Sequence, residues 1–210
     1  VEDIKKTISV VANQFYEKPS ERLNVIGVTG TNGKTSVCSI LYSILTNSGI
    51  KCAQLGTLGL IKNNSTETNG YTTPESIELN KCFYNLNRKG YTHVIMEVSS
   101  HAIDQKRVSN ISFSIVLFTN LTPEHLDYHK TLNNYFNTKL SLFKTLPKKS
   151  RAIINISDQY GKKIKKNLDI LTSDFSISGN NGAHFETIEN NYNGINGIIK
   201  SDTLEYKVES

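Results

Sequence analysis

The stretch "VIGVTGTNGKTSVCSIL", Val25 to Leu41, constrains the fold more than any other part of the chain. It opens as an apolar strand, turns through glycines and continues as a helix. The common phosphate-binding loop has the pattern G-x-x-x-x-G-K-[ST]. Counting back from Gly33-Lys34-Thr35, the first glycine should fall at residue 28, which is Val; Gly27 lies one place too early. What stands here is a shorter loop, Gly30-Thr31-Asn32-Gly33-Lys34-Thr35, followed by Ser36. The physics survives the shortening. Gly30 and Gly33 permit backbone conformations closed to other residues, so successive N–H groups can converge. The helix that follows aims its positive end at the same point. Lys34 adds a point charge for β- and γ-phosphates, and Thr35 a hydroxyl for Mg²⁺. A tight strand-to-helix turn would also use glycines, but it does not call for Lys-Thr at the opening of a helix behind a buried strand. The stretch reads as a nucleotide site.

Strand and helix patterns alternate along most of the chain. "LNVIGVTG", "KCAQLGTLG", "THVIMEVSS", "FSIVLFTNL", "RAIINIS" and "DILTSD" read as strands. Between them, "KTSVCSILYSILTNSG" reads as a helix with Val37, Ile40, Leu41, Ile44 and Leu45 inward and Gly49 as its stop. "PESIELNKCFYNLNRKG" reads as a helix with Pro74 in its first turn and Gly90 at its end. "TLNNYFNTKLSLFKTL" and "DQYGKKIKKNL" are further helices, and "IKNNSTETNGYTTP" a polar loop. This is the pattern of a doubly wound, mostly parallel α/β sheet flanked by helices. The tail from Ala183 alternates polar and apolar residues around an Asn-Gly turn, which predicts a small antiparallel hairpin region. Residues 1–20 read as an amphipathic helix with Ile4, Ile8, Val11 and Phe15 on one face, stopped by Pro19. The division expected is a linker helix over 1–24 and one domain over 25–210.

Composition excludes several classes. The 210 residues suffice for one domain with a substantial core. No apolar run is long enough to span a bilayer, so membrane insertion is not expected. The start lacks the apolar core and cleavage site of a secretory leader, and the cytoplasm is the expected compartment. Three cysteines at unrelated spacings, Cys38, Cys52 and Cys82, read as free thiols. A net charge of +5 comes largely from "KTLPKKSR" and "GKKIKKNL". These read as solvated helix rims, and no interleaved aromatics offer stacking to bases, so no nucleic-acid partner is expected.

Three acidic or imidazole positions draw attention by placement. Glu97 ends an apolar strand at the carboxyl edge, where doubly wound sheets hold ligands, and a carboxylate there can hold Mg²⁺ bridging terminal phosphates. His125 and His129 in "TPEHLDYH" are spaced like a zinc-binding pair, but no third ligand lies in a suitable local pattern.

"GVTGTNGKT" resembles the ATP-binding loop of the Mur ligase superfamily, amide-forming synthetases that share the shortened loop. "YTTPES", "EVSSHAIDQKRV" and "FTNLTPEHLDYHKTLNNYFNTK" resemble, within it, the UDP-N-acetylmuramoyl-tripeptide synthetases of peptidoglycan precursor synthesis. The resemblance implies an ATP-dependent ligase that adds a third amino acid to UDP-MurNAc-L-Ala-D-Glu through an acyl phosphate. It implies that His125 ligates a second Mg²⁺. It also implies that Lys139, which otherwise looks like an ordinary helix lysine, is carbamylated by CO₂ and becomes a metal ligand. That chemistry needs the neutral amine, against an ordinary lysine value of roughly 10.4. The catalytic set implied is Lys34, Glu97, His125 and Lys139, and the metal set Thr35, Glu97, His125 and the Lys139 carbamate. Thr72, Thr73, Ser99, Gln105 and Arg107 match positions that hold the nucleotide-sugar dipeptide. Arg107 suits a carboxylate by its forked donors, and Thr73 is also a reasonable helix cap before Pro74.

Against the family pattern, the match begins near the start of the central domain and stops before its end. Flanking uridine-binding and amino-acid-binding domains are therefore expected to be absent, and the isolated chain should not complete ligation. Ser36 stands where Thr is common. The added residue is expected to be a diamino acid, meso-diaminopimelate before L-lysine, and the chain a monomer. Two other readings stay open: a folylpolyglutamate- or cyanophycin-type ligase of the same superfamily, and a non-catalytic nucleotide-binding module.

Overall fold

The computed structural model describes residues 3–63, 65–68, 70–177, 182–191, 194–201 and 204–209. In chain order the elements are α1 (Ile4–Phe15), β1 (Asn24–Thr29), α2 (Lys34–Asn47), β2 (Cys52–Gly56), β3 (Gly59–Lys62), β4 (Ser65–Glu67), α3 (Ser76–Arg88), β5 (His93–Glu97), α4 (Ser100–Asp104) and β6 (Phe113–Phe118). They continue with α5 (Leu126–His129), α6 (Leu132–Lys144), β7 (Arg151–Asn155), α7 (Gln159–Lys166), β8 (Leu171–Ser176), β9 (Ala183–Asn191), β10 (Gly194–Lys200) and β11 (Glu205–Glu209).

All the described strands lie in one sheet, in the order β11-β10-β9-β8-β7-β6-β1-β5-β2-β3-β4. From β8 to β2 every pairing is parallel. β1 is central, with β5 on one side and β6 on the other. Connections leave this point in opposite directions, which opens a crevice at the strands' carboxyl ends. Both faces of the parallel strands are covered, as continuous apolar runs require. Val28 and Ile95 face α2 with Cys38, whereas Val25, Val94, Met96 and Val116 face the larger core shared with α3 and α6. The neighbours Val94, Ile95 and Met96 thus alternate between the two faces, as strand geometry demands.

The doubly wound reading holds, with four local differences. The polar segment after β2 is not all loop: β3 and β4 form an antiparallel hairpin on the sheet edge, with β4 wholly exposed. Its polar residues carry no alternation because β4 is exposed throughout and only Gly59 and Leu60 of β3 are buried; backbone pairing and a Lys62–Glu67 ion pair at 2.7 Å hold it. On α2, Ile40 and Ile44 face solvent, and Cys38 is the buried residue. Pro74 lies outside α3, whose N-cap is Glu75 and not Thr73. As expected, the C-terminal strands are antiparallel; they continue the main sheet, with β8 pairing parallel to β9 over two residues. The turn between β9 and β10 lies outside the described residues.

The fourth difference is α1. Its apolar stripe points outward, with Ile8 42% and Phe15 76% exposed, and the buried side is Ser9, Ala12 and Asn13. Polar contacts attach it: Asn13 Nδ2 donates to the Asn110 carbonyl at 3.0 Å, and Asn110 Nδ2 to Ser9 Oγ at 3.0 Å. The helix stops at Phe15, with Glu17 and Lys18 at positive φ ahead of Pro19. Attachment through Asn13 sets an unusual order of sensitivities. Asn13→Ala should lower unfolding free energy by about 1–2 kcal/mol. Phe15→Ser should change it by less than about 0.5 kcal/mol. Urea denaturation of the two variants checks this, and the opposite order would contradict the outward-facing stripe.

Candidate active site

The shortened loop fills the crevice above β1. Gly30 has φ 151°, and a Cβ there would meet Thr119 Oγ1 and, at 3.0 Å, the Asn120 carbonyl. Gly33, at φ 84°, is the N-cap of α2 and carries no capping side chain. The first N–H groups of α2 have no intrahelical partners, so they open into a cavity of about 570 Å³. The loop following β6 braces the glycine loop. Thr31 N–H donates to the Asn120 carbonyl and Asn32 N–H to Asn120 Oδ1, both at 2.9 Å. Thr119 Oγ1 donates to the Asn32 carbonyl at 2.7 Å. Lys34 curls back, with Nζ 3.1 Å from the Gly30 carbonyl and 2.7 Å from that of Thr31. Burial lowers its pKa, opposed by the nearby Glu97 and Glu124 carboxylates.

Glu97, at the end of β5, is 1% exposed and lines the same cavity. Its Oε1 accepts the Thr57 N–H at 2.8 Å and its Oε2 the Thr57 hydroxyl at 3.3 Å. Among the described residues no cationic nitrogen lies within 4 Å of it. Thr73 uses its hydroxyl on the Glu97 carbonyl at 2.9 Å and receives the Ser99 N–H at 3.1 Å. Thr72 meets Thr57, hydroxyl to hydroxyl, at 3.1 Å.

Arg107 is buried and fully engaged. Its Nε and Nη2 fork onto Gln105 Oε1 at 3.0 and 2.5 Å, Nη1 donates to the Thr73 carbonyl at 2.9 Å, and Nη2 meets Glu75 Oε1 at 2.8 Å. The guanidinium lies 4.9 Å from the Tyr71 ring centroid. Glu75 is half exposed and lines the neighbouring cavity, so the guanidinium already holds a carboxylate.

Opposite stand the rings. His125 opens α5 with a left-handed backbone and lines the cavity. His129 turns inward, its Nε2 2.9 Å from Ser100 Oγ, and burial lowers its pKa. On α6, Tyr135 and Lys139 stand one turn apart, so they share a face. The Tyr135 hydroxyl lies 3.2 Å from Thr31 Oγ1, and Lys139 Nζ is 4.6 Å from the Tyr135 ring. Lys139 is 1% exposed and donates to the Gly30 carbonyl at 3.0 Å. Burial, with Lys34 nearby, brings its pKa down to about 7.

Of the residues singled out from the sequence, Thr31 to Ser36, Thr72, Thr73, Glu97, Ser99, Gln105, Arg107 and His125 all border the one cavity. Gly30 and Lys139 lie beneath the loop and do not line it. Sequence reasoning missed the brace Thr119-Asn120, the buried Tyr135, Thr57 on Glu97, and Glu75 on Arg107. Only Tyr135 left a signal, its spacing of four from Lys139. Among the described residues no three His, Cys, Asp or Glu side chains are close enough to hold a metal by themselves. The donor set still suits Mg²⁺. The buried, cation-free Glu97 carboxylate, the Thr35 hydroxyl and His125 are spread round a cavity wide enough for phosphate oxygens and water to complete an octahedron.

A strand, a shortened glycine loop and a helix without a capping side chain meet at the switch point of a mostly parallel sheet, the architecture of a doubly wound α/β domain. The sequence model described as Mur ligase middle domain matches residues 28–210, and the chain belongs to that family. It is 46% identical over 169 residues to the UDP-N-acetylmuramoyl-L-alanyl-D-glutamate–2,6-diaminopimelate ligase of Clostridioides difficile (strain 630), covering 80% of this chain and 34% of that one. It is 37% identical over 210 residues to the Clostridium perfringens (strain 13 / Type A) protein of that name, covering 98% and 43%. The chain thus spans less than half the length of these relatives. A solved structure bearing the same enzyme name superposes with a TM-score of 0.87 at 24% identity, over 100% of this chain and 44% of that one. Folylpolyglutamate synthase of Mycobacterium tuberculosis shares the fold, with a TM-score of 0.75 at 11% identity over 96% and 53%.

Two outcomes follow from the site's charges. Unfolded, Lys139 keeps an ordinary pKa near 10.5, while the native value is about 7. Between those values the unfolded chain holds the extra proton, so native stability rises with pH across the window, and below it the full cost of burying the charge is present. Lys139→Met should therefore be more stable than the parent at pH 6, with the difference shrinking towards pH 10, in urea melts run in CO₂-free buffer. Glu75→Gln should leave Arg107 without its rim carboxylate and tighten small dicarboxylate binding by about 3- to 10-fold. Calorimetric titration with glutarate checks this, and unchanged affinity would show that Glu75 does not occupy a ligand position.

Proposed function

We propose that this chain is the ATP-handling centre of a ligase that joins a diamino acid, meso-diaminopimelate, to UDP-MurNAc-L-Ala-D-Glu. The observation that carries the reading is the convergence of Lys34 and Lys139 on one loop carbonyl, beneath the cavity that Glu97 and His125 border. The relatives' shared name supports the tripeptide-forming reaction over folylpolyglutamate or cyanophycin synthesis.

ATP phosphates settle against the N–H groups of α2, and Lys34 leaves the Gly30 and Thr31 carbonyls for them. The neutral Lys139 amine adds to CO₂: a C–N bond forms, one proton leaves, and the product is a carbamate anion. Thr35 and Glu97 would hold one Mg²⁺, and His125 with that carbamate a second; the two ions would neutralise the crowded anions. The acceptor displaces Glu75 from Arg107, with Gln105, Thr72, Thr73 and Ser99 placing the rest of it. Its D-Glu carboxylate then attacks the γ-phosphate, ADP leaves, and the amine of the diamino acid displaces phosphate from the acyl phosphate. The chain contributes orientation and electrostatics throughout.

The test is ATP-dependent phosphate release by the longer ligase proposed to carry this chain. Release should require both UDP-MurNAc-L-Ala-D-Glu and diaminopimelate, and Lys34→Ala should slow it by about 100-fold or more. Release driven by a folate glutamate, or none with either acceptor, would defeat the reading.

A further inference from the structure

His125 faces the cavity with little to hold its ring. Its backbone stands at φ 55° at the head of a four-residue helix. Its side chain is 44% exposed, and its one ion-pair neighbour is the adjacent Glu124 at 3.8 Å, too far for a hydrogen bond. A histidine that binds metal ordinarily has its second ring nitrogen hydrogen-bonded, which sets the ring's orientation. Among the described residues no such bond reaches His125. Ring contact stands in its place. The His101 ring meets it edge-on, with centroids 4.8 Å apart and planes at 80°. The next ring, Tyr135, is further away at 6.3 Å.

His101 is itself well held. Its ring lies 4.3 Å from that of Tyr128. The Tyr128 hydroxyl donates to Asp104 Oδ2 at 2.7 Å and accepts from Gln105 Nε2 at 3.4 Å. Gln105 is the side chain onto which Arg107 forks. A chain of contacts therefore runs from the carboxylate clamp to the exposed imidazole, through a histidine that no motif assigns.

We propose that His101 is a positioning residue: its ring, clamped by Tyr128, holds the His125 imidazole in the orientation that a second divalent cation requires. The inference rests on the ligase reading above. Its basis is shape, since an edge-to-face ring contact constrains rotation whether or not the inner ring carries a proton.

The test reads metal binding without turnover. The chain is loaded with a non-hydrolysable ATP analogue and bicarbonate, and Mn²⁺ is titrated while free Mn²⁺ is followed by electron paramagnetic resonance. His101→Ala should weaken the second Mn²⁺ by about 3- to 10-fold. Nucleotide affinity and the first Mn²⁺ should not change. His101→Phe keeps a flat ring and should return the second affinity to within about twofold of the parent. The inference is overturned if His101→Ala matches the parent. It is equally overturned if His101→Phe is as weak as His101→Ala, because a ring nitrogen and not ring packing is then required. Loss of both ions together with a lowered melting temperature assigns His101 a merely structural role and also overturns it. A parent chain that takes up a single Mn²⁺ defeats the ligase reading itself, and this inference with it.

Discussion

Two lysines from distant parts of the chain donate to one backbone oxygen, the carbonyl of Gly30. Neither has a carboxylate in contact, so this neutral acceptor stands between a buried lysine and a half-buried one. Burial and mutual repulsion both favour losing a proton, and the deeper lysine yields first: Lys139 comes down to about 7. The arrangement depends on the loop pressing against β6's exit, which Gly30 permits because a Cβ would collide with Thr119 and Asn120. The site's geometry therefore rests on a residue defined by what it lacks.

Around that point the sheet supplies the remainder by position. β1, β2, β5 and β6 all end at the same edge, delivering the glycine loop, Thr57, Glu97 and the Thr119-Asn120 brace to one crevice. The brace ties two consecutive loop residues, Thr31 and Asn32, through short hydrogen bonds, so the chain leading into the cavity-facing N–H groups of α2 is fixed before any ligand arrives. Such preorganisation spares the rearrangement cost at the moment of reaction. Tyr135 extends it by linking Thr31 to the helix that carries Lys139.

The Arg107 side of the cavity is built on a different principle. Arg107 is pinned by Gln105 and the Thr73 carbonyl, and Thr73 in turn binds the Glu97 carbonyl. The Arg107 guanidinium and the Glu97 carboxylate thus share a scaffold one residue wide, Thr73. Glu75 satisfies the guanidinium at rest, which avoids leaving a buried charge unpaired.

By itself the sequence determined the alternation of strands and helices, because both faces of the parallel strands are buried and leave unbroken apolar runs. It also determined the glycine loop and Glu97, whose chemistry is local or set by a strand end. Tertiary structure alone decided the rest. The β3–β4 hairpin buries only Gly59 and Leu60, too short a run for a periodicity to read. The apolar side of α1 points outward because Asn13 and Ser9, not its isoleucines, find partners on the domain. Lys139 has the look of a surface lysine in its helix; its burial, its lowered pKa and its meeting with Lys34 arise from packing against a loop 109 residues away. Periodicity reports which residues share a face, whereas only the assembled sheet determines what that face meets.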